Sequence, residues 1–173
     1  MARVYVCPLS KVHEVVAVSG AGALVSLLSP GHPMTRPEAI SPQRHLALGL
    51  SDIVAPLDGH VLAQQGQVES LLAFFHNWYH RWDRARPLVI HCYAGVSRST
   101  AAGYIALCAL TPKSEVEIAR ELRRLSPSAT PNRHLIALAD TLLSREGRMT
   151  AAVEAIGRGR DCFEGEVFCM ETA

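Results

Sequence analysis

PLVIHCYAGVSRSTAAGYIALCAL, residues 87–110, decides the fold. An apolar run ends abruptly at His91 and Cys92, a short Gly/Ser loop follows, and Arg98 opens a second apolar run of different period. PLVIHC is a short continuous apolar run of the kind that forms a strand buried on both faces, and the run after Arg98 is helical. A strand that feeds a helix through a tight loop is a building block of a parallel sheet.

The same alternation extends outward. VYVCPL (4–9), ALVSLL (23–28) and RHLALGL (44–50) read as further strands. Lys11 to Ser19 reads as a helix with Ser10 at its N-cap and Gly20 at its end. VESLLAFFHNWYHRW (68–82) has apolar residues at helical spacing, while the prolines of SPGHPMTRPEAISPQ (29–43) make that segment a loop. After the quoted stretch, Ser114 and Glu117 form a capping box for a helix reaching about Leu125. The turn-rich SPSATPN (126–132) precedes helices near His134 to Leu143 and Met149 to Ile156. The expected architecture is one α/β domain over residues 1–156, with a central, mainly parallel sheet of about four or five strands flanked by helices. Residues 157–173, glycine-rich and mixed in character, read as a C-terminal tail, partly disordered.

At 173 residues the chain is long enough for one domain with a sizeable core. A formal charge of +1 gives no general reason to expect nucleic acid or a membrane surface as partner. The five cysteines form no C-x-x-C pair or regular spacing, and the early apolar stretch is interrupted by His13, Glu14, Gly20 and Gly22. The expectation is therefore a reduced, soluble, cytoplasmic protein without a disulfide framework.

The loop from Cys92 to Arg98 lies where open α/β sheets place their sites, beyond the carboxyl end of a strand. A helix N-terminus offers unpaired N–H groups and a positive dipole end, and Gly95 lets the backbone curl so that successive N–H groups converge. Arg98 adds a planar fork matched to two phosphate oxygens. The field that favours a bound oxyanion also favours a thiolate, so Cys92 is expected to have a depressed pKa and act as a nucleophile. His91 could hold the loop by hydrogen bonding, and the Ser99 hydroxyl could stabilise the sulfur as a leaving group. Cys-x5-Arg alone is a weak signal. Adding the preceding His, the intervening Gly and the following Ser lowers the chance expectation to about 0.0002 on composition alone.

HCYAGVSRST resembles the H-C-x-x-G-x-x-R-S/T signature of the cysteine-dependent protein phosphatases, and is closest to their compact dual-specificity-like branch. With SDI and PLDGHV upstream and TPN downstream, it is also similar to a set of bacterial proteins of that superfamily. The resemblance spans about residues 3–145 and implies a dual-specificity-phosphatase-like fold. It implies Cys92 as the nucleophile, Arg98 as the phosphate clamp and Ser99 as the hydroxyl that assists thiolate departure. His91 and the loop Tyr93, Ala94, Gly95, Val96, Ser97 and Arg98 would complete the phosphate cradle. The general acid of this family is an aspartate on an upstream loop. Asp52 directly follows HLALGL, although the forty residues to Cys92 exceed the branch's usual separation; Asp58 sits nearer that separation, within the turn former Asp-Gly. His60 is a third candidate.

The implied activity is hydrolysis of phosphotyrosine, or of phosphotyrosine, phosphoserine and phosphothreonine, in protein substrates through a cysteinyl-phosphate, without metal or cofactor. The alternatives are a phosphate-binding pseudophosphatase with little turnover and a phosphatase of a small phosphoester. Sulfur transfer and arsenate reduction are disfavoured, because Cys108 lies along the following helix rather than in the loop. The absence of Lys or extra Arg at Tyr93, Ala94, Val96 and Ser97 disfavours polyanions such as phosphoinositides or RNA ends. Cys7 and Cys108 read as core thiols, and Cys162 and Cys169 as inert tail thiols. His76 and His80 share a polar helix face with no third metal ligand apparent. Asn132 and Arg133 are candidates to approach the phosphate loop from the downstream turn.

Overall fold

A computed structural model describes residues 1–172. In chain order it has β1 (Ala2–Pro8), α1 (Val12–Ser19), β2 (Ala23–Leu28), β3 (His45–Gly49), α2 (Gln65–His80) and β4 (Leu88–Cys92). There follow α3 (Arg98–Leu110), α4 (Glu115–Leu125), α5 (Arg133–Leu142), α6 (Arg148–Ile156) and β5 (Phe168–Thr172). The five strands form one sheet in the order β3-β2-β4-β1-β5. All neighbours run parallel except β1 and β5. This is the α/β architecture expected from the sequence.

Burial explains the strand compositions. Every residue of β2 and β4 is buried, as fits parallel strands covered on both faces. One face carries Cys7, Leu24 and Val89 under α1 and the loop residues Met34 and Ile40. The other carries Val4, Val6, Val25 and Ile90 under the larger group of helices. Within that group α3 is a core helix, its residues from Arg98 to Cys108 all buried. Gly103 permits its close approach: a Cβ there would lie 2.9 Å from Val6 Cγ2. No helix among the described residues is long and apolar enough to cross a membrane.

Local signals place most helix ends. Gly20 closes α1 in the left-handed conformation, with φ +66°. Ser114 opens α4 with both arms of its capping box formed: Glu117 N donates to Ser114 Oγ at 3.3 Å, and Ser114 N to Glu117 Oε2 at 2.8 Å. Ser10 is not an N-cap. It sits in a short 3-10 turn at Leu9–Lys11 and its hydroxyl bonds Glu164 instead. Trp82 lies beyond α2, where its ring stacks beneath the Arg44 guanidinium at 3.8 Å.

The segment read as a tail contains an element of the sheet. Phe168–Thr172 pairs antiparallel with β1, and Thr172 Oγ1 accepts from Ala2 N at 3.1 Å. Phe168 and Met170 face the core, and the alternating burial of the strand has the period-two pattern of an edge strand. Met170 is fully buried, so Met170→Ala should lower the unfolding free energy by about 2–5 kcal/mol, measured by urea denaturation. A loss below about 0.5 kcal/mol would show that β5 contributes no core.

Candidate active site

Because β1, β2, β3 and β4 run parallel, their carboxyl ends gather at one edge of the sheet. Cys92 ends β4 there, and the loop from Tyr93 to Ser97 returns the chain into α3. Gly95 has φ +72°, and a Cβ on it would lie 2.7 Å from Pro8 N and 2.9 Å from the Cys7 carbonyl carbon. Glycine is required there both for the dihedral and for the space.

The loop carbonyls are satisfied from outside the turn. Tyr93 O accepts from Leu9 N at 3.0 Å, Ala94 O from Gly165 N at 2.8 Å, and Val96 O from Thr130 N at 2.9 Å. Ser97 O accepts from Ala101 N at 3.0 Å and Asn132 N at 3.2 Å, and His91 Nδ1 lies 3.1 Å from Cys92 O. In a trans peptide the N–H points opposite to the carbonyl before it, so outward carbonyls turn the loop amides inward. The Gly95 amide shows the result, donating to Cys92 Sγ at 3.3 Å.

Cys92 is only 2% exposed, and its Sγ lies 3.1 Å from Ser99 Oγ on the first turn of α3. Arg98, the first residue of α3, is almost wholly buried and donates from Nη1 to Leu50 O at 2.9 Å. Its Nε is buried without a partner among the described residues. His91 is completely buried, with Nε2 2.6 Å from Ser26 Oγ. Burial pushes its pKa down to about 4; the bond to the Cys92 carbonyl opposes that shift, and the charges of His45 and Arg98 reinforce it.

Asp52 is brought to the loop. Its Oδ1 accepts from Ser97 Oγ at 2.7 Å and from Asn132 Nδ2 at 2.9 Å. Asn132 acts in two directions, because its Oδ1 also caps α5 by accepting from His134 N and Leu135 N, each at 3.1 Å. A cavity of about 360 Å³ opens beside these groups, lined by Asp52, Val54, Ser97, Asn132, Arg133 and Arg158. Asp58 and His60 lie in an exposed turn around Gly59, where His60 Nδ1 lies 3.1 Å from the Asp58 carbonyl. The Asp58 carboxylate has no hydrogen bond to the Cys92–Arg98 loop among the described residues.

The other thiols have different surroundings. Cys7 and Cys108 are buried, which pushes each up to about 12 and leaves a neutral thiol; at Cys7 the charge of Cys92 adds to the effect. Cys162 is exposed and Cys169 half-buried on β5. On α2 the His76 and His80 rings lie 4.6 Å apart, and no group of three metal-ligating side chains occurs among the described residues. Two residues of the site's surroundings escape the sequence reading: Ser26, the lone polar residue within ALVSLL, and Gly165, whose amide completes the loop.

No protein-family model and no curated protein sequence matches this chain. Solved structures do. The phosphatase PTP-2 of Cydia pomonella superposes with a TM-score of 0.63 at 20% identity, covering 80% of this chain and 84% of that one. Human DUSP28 gives 0.63 at 16% identity, over 88% and 94% of the two chains. The human tyrosine phosphatase-like serine/threonine/tyrosine-interacting protein gives 0.62 at 13%, over 83% and 92%. The chain has the fold of the dual-specificity and tyrosine phosphatases.

The buried His91 links stability to pH. Above pH 6.5 it is neutral whether folded or not; below that the unfolded chain gains a proton that the folded one refuses until about pH 4. Stability should therefore fall on acidification through that window by up to about 3 kcal/mol from this group, read from denaturant midpoints. His91→Asn should flatten the slope.

Proposed function

We propose that this chain is a cysteine-dependent phosphatase that hydrolyses phosphotyrosine, or phosphotyrosine together with phosphoserine and phosphothreonine, in protein substrates. The observation that carries the reading is the nest itself. Cys92 Sγ accepts from the Gly95 amide of a loop whose amides turn inward, and Arg98 presents a solvent-shielded Nε–H with no acceptor among the described residues. A phosphate dianion supplies the missing acceptors and the charge that such a nest favours.

In the first step the Cys92 thiolate attacks phosphorus, forming the S–P bond as the ester P–O bond breaks in line. Arg98 and the loop amides stabilise the charge on the equatorial oxygens, and Asp52 gives its proton to the departing alkoxide or phenoxide. In the second step Asp52 takes a proton from water as the water oxygen bonds to phosphorus. The thiolate leaves, stabilised by the Ser99 hydroxyl, which already lies 3.1 Å from the sulfur.

The surface beside the loop suits a protein-borne phosphoester. Tyr93 is half exposed with the His32 ring edge-on at 5.5 Å, and a cavity of about 310 Å³ is lined by Leu9, Tyr93, Ala94 and the exposed Phe163. Those walls offer apolar contact to side chains flanking a phosphorylated residue, which a bare sugar phosphate lacks.

Cys92→Ser should abolish measurable hydrolysis of p-nitrophenyl phosphate while retaining binding of a phosphotyrosyl peptide. Retention of wild-type turnover would end the covalent scheme. Asp52→Asn should lower kcat on phenyl phosphate by about 10²- to 10⁴-fold, and by less on the better leaving group p-nitrophenol. A loss of that size in Asp58→Asn instead would move the acid to Asp58. Wild-type protein that binds the peptide yet turns nothing over would be a phosphate-recognition module.

A further inference from the structure

A row of polar side chains crosses the sheet on the face covered by α1. Ser26 on β2 pairs in register with His91 on β4 and with Ala47 on β3, so His45, two residues before Ala47, shares its face. Cys7 on β1 pairs with His91 from the other side. Ser26 and His91, on fully buried strands, require partners, and they find them in each other, in His45 and in the Cys92 carbonyl. His91 Nδ1 lies 3.1 Å from Cys92 O, His91 Nε2 2.6 Å from Ser26 Oγ, and Ser26 Oγ 2.8 Å from His45 Nε2.

Proton counting gives the chain a direction. A carbonyl only accepts, so His91 carries its hydrogen on Nδ1. In the neutral ring that full burial favours, Nε2 is then a bare lone pair, and the Ser26 hydroxyl must donate to it. That commits the single Ser26 proton, so His45 must donate from Nε2 to Ser26 Oγ. Met34 Sδ also lies 3.1 Å from Ser26 Oγ, but a thioether is a weak acceptor beside an imidazole nitrogen. Burial first, and then Arg98 near His91 and Arg36 near His45, disfavour a second proton on either ring.

We infer that Ser26 and His45 are positioning residues for the Cys92 site, forming with His91 a one-way hydrogen-bond chain that locks the His91 tautomer and holds the Cys92 carbonyl outward. The inference rests on the phosphatase reading of the loop. Every hydrogen points from His45 through Ser26 and His91 to Cys92 O, and each donor polarises the next. Holding that carbonyl outward turns the Tyr93 amide into the nest by the planarity of the peptide between them. The far end of the chain reaches the surface. His45 is half-buried and lines an open cavity of about 260 Å³ with Ser26, Met34 and His32, so a residue remote from the nucleophile is connected to it.

The test reads tautomers and thiol reactivity, neither of which needs turnover. Nitrogen-15 NMR of the labelled wild-type protein should show His91 protonated on Nδ1 and bare at Nε2, with His45 protonated on Nε2. In Ser26→Ala and His45→Leu, alkylation of Cys92 at pH 7 and a fixed iodoacetamide concentration should slow by about three- to tenfold. His45→Gln, whose amide can still donate to Ser26, should restore most of the rate. A His91 protonated on Nε2 in the wild type overturns the chain. Unchanged alkylation in both deletions overturns the positioning role, and so does a His45→Gln protein no faster than His45→Leu. If instead the tautomers and alkylation rates are as expected but the wild-type protein hydrolyses no phosphoester, the phosphatase reading fails and the chain stands.

Discussion

The backbone of Gly95 lying against the end of β1 is the constraint on which the site depends. The nearest atom to the missing Cβ is Pro8 N, a nitrogen without a hydrogen. Any other residue at position 8 would present an N–H to a glycine backbone packed over it, and that donor would need an acceptor. Proline removes the donor as glycine removes the side chain. The loop can then settle onto the strand, with Leu9 N capturing the Tyr93 carbonyl just beyond the last register pair, Pro8 with Cys92. From that seating follow the outward carbonyls, the inward amides and the position of Sγ above the first turn of α3.

The two faces of the sheet divide the work. The face under α2 to α6 is apolar, anchored by fully buried Phe75, Trp78, Tyr104 and Ile105, and it holds α3 and therefore Arg98 and Ser99. The face under α1 is narrower and carries the polar row. Its histidines and serine contribute little to hydrophobic stability. A hydrogen-bonded row of this kind, however, ties together the strands it joins more specifically than aliphatic packing does.

The sequence carried the loop and the sheet class well because both are local. A short apolar run, a glycine and an arginine at fixed offsets define a strand, a turn and a helix start with few alternatives. The strands and helices around them were legible for the same reason, apart from the start of α1, where a 3-10 turn occupies the expected cap. Asp52 was legible only as one of two carboxylates. Its approach to Ser97 depends on Asn132, eighty residues away in the chain, and no local spacing encodes that pairing. β5 was missed because its alternation spans only five residues and follows a glycine-rich stretch. Its identity as a strand comes from the open edge of β1, a tertiary fact. Ser26 stood out in the sequence as the one polar residue of an apolar strand, but its partners required the register of three strands.

The Ala94 carbonyl finds its donor in Gly165, seventy-one residues downstream. A ribosome therefore makes Cys92, Arg98 and the helix behind them well before it makes the amide that holds the Ala94 carbonyl. Until Gly165 emerges, the Ala94 carbonyl must be shared with water, and the peptide that follows it is free to turn. Closure of the Cys92–Arg98 loop is thereby ordered in time. The Cys92–Arg98 loop is thus finished only at the stage at which β5, just downstream of Gly165, closes the edge of the sheet.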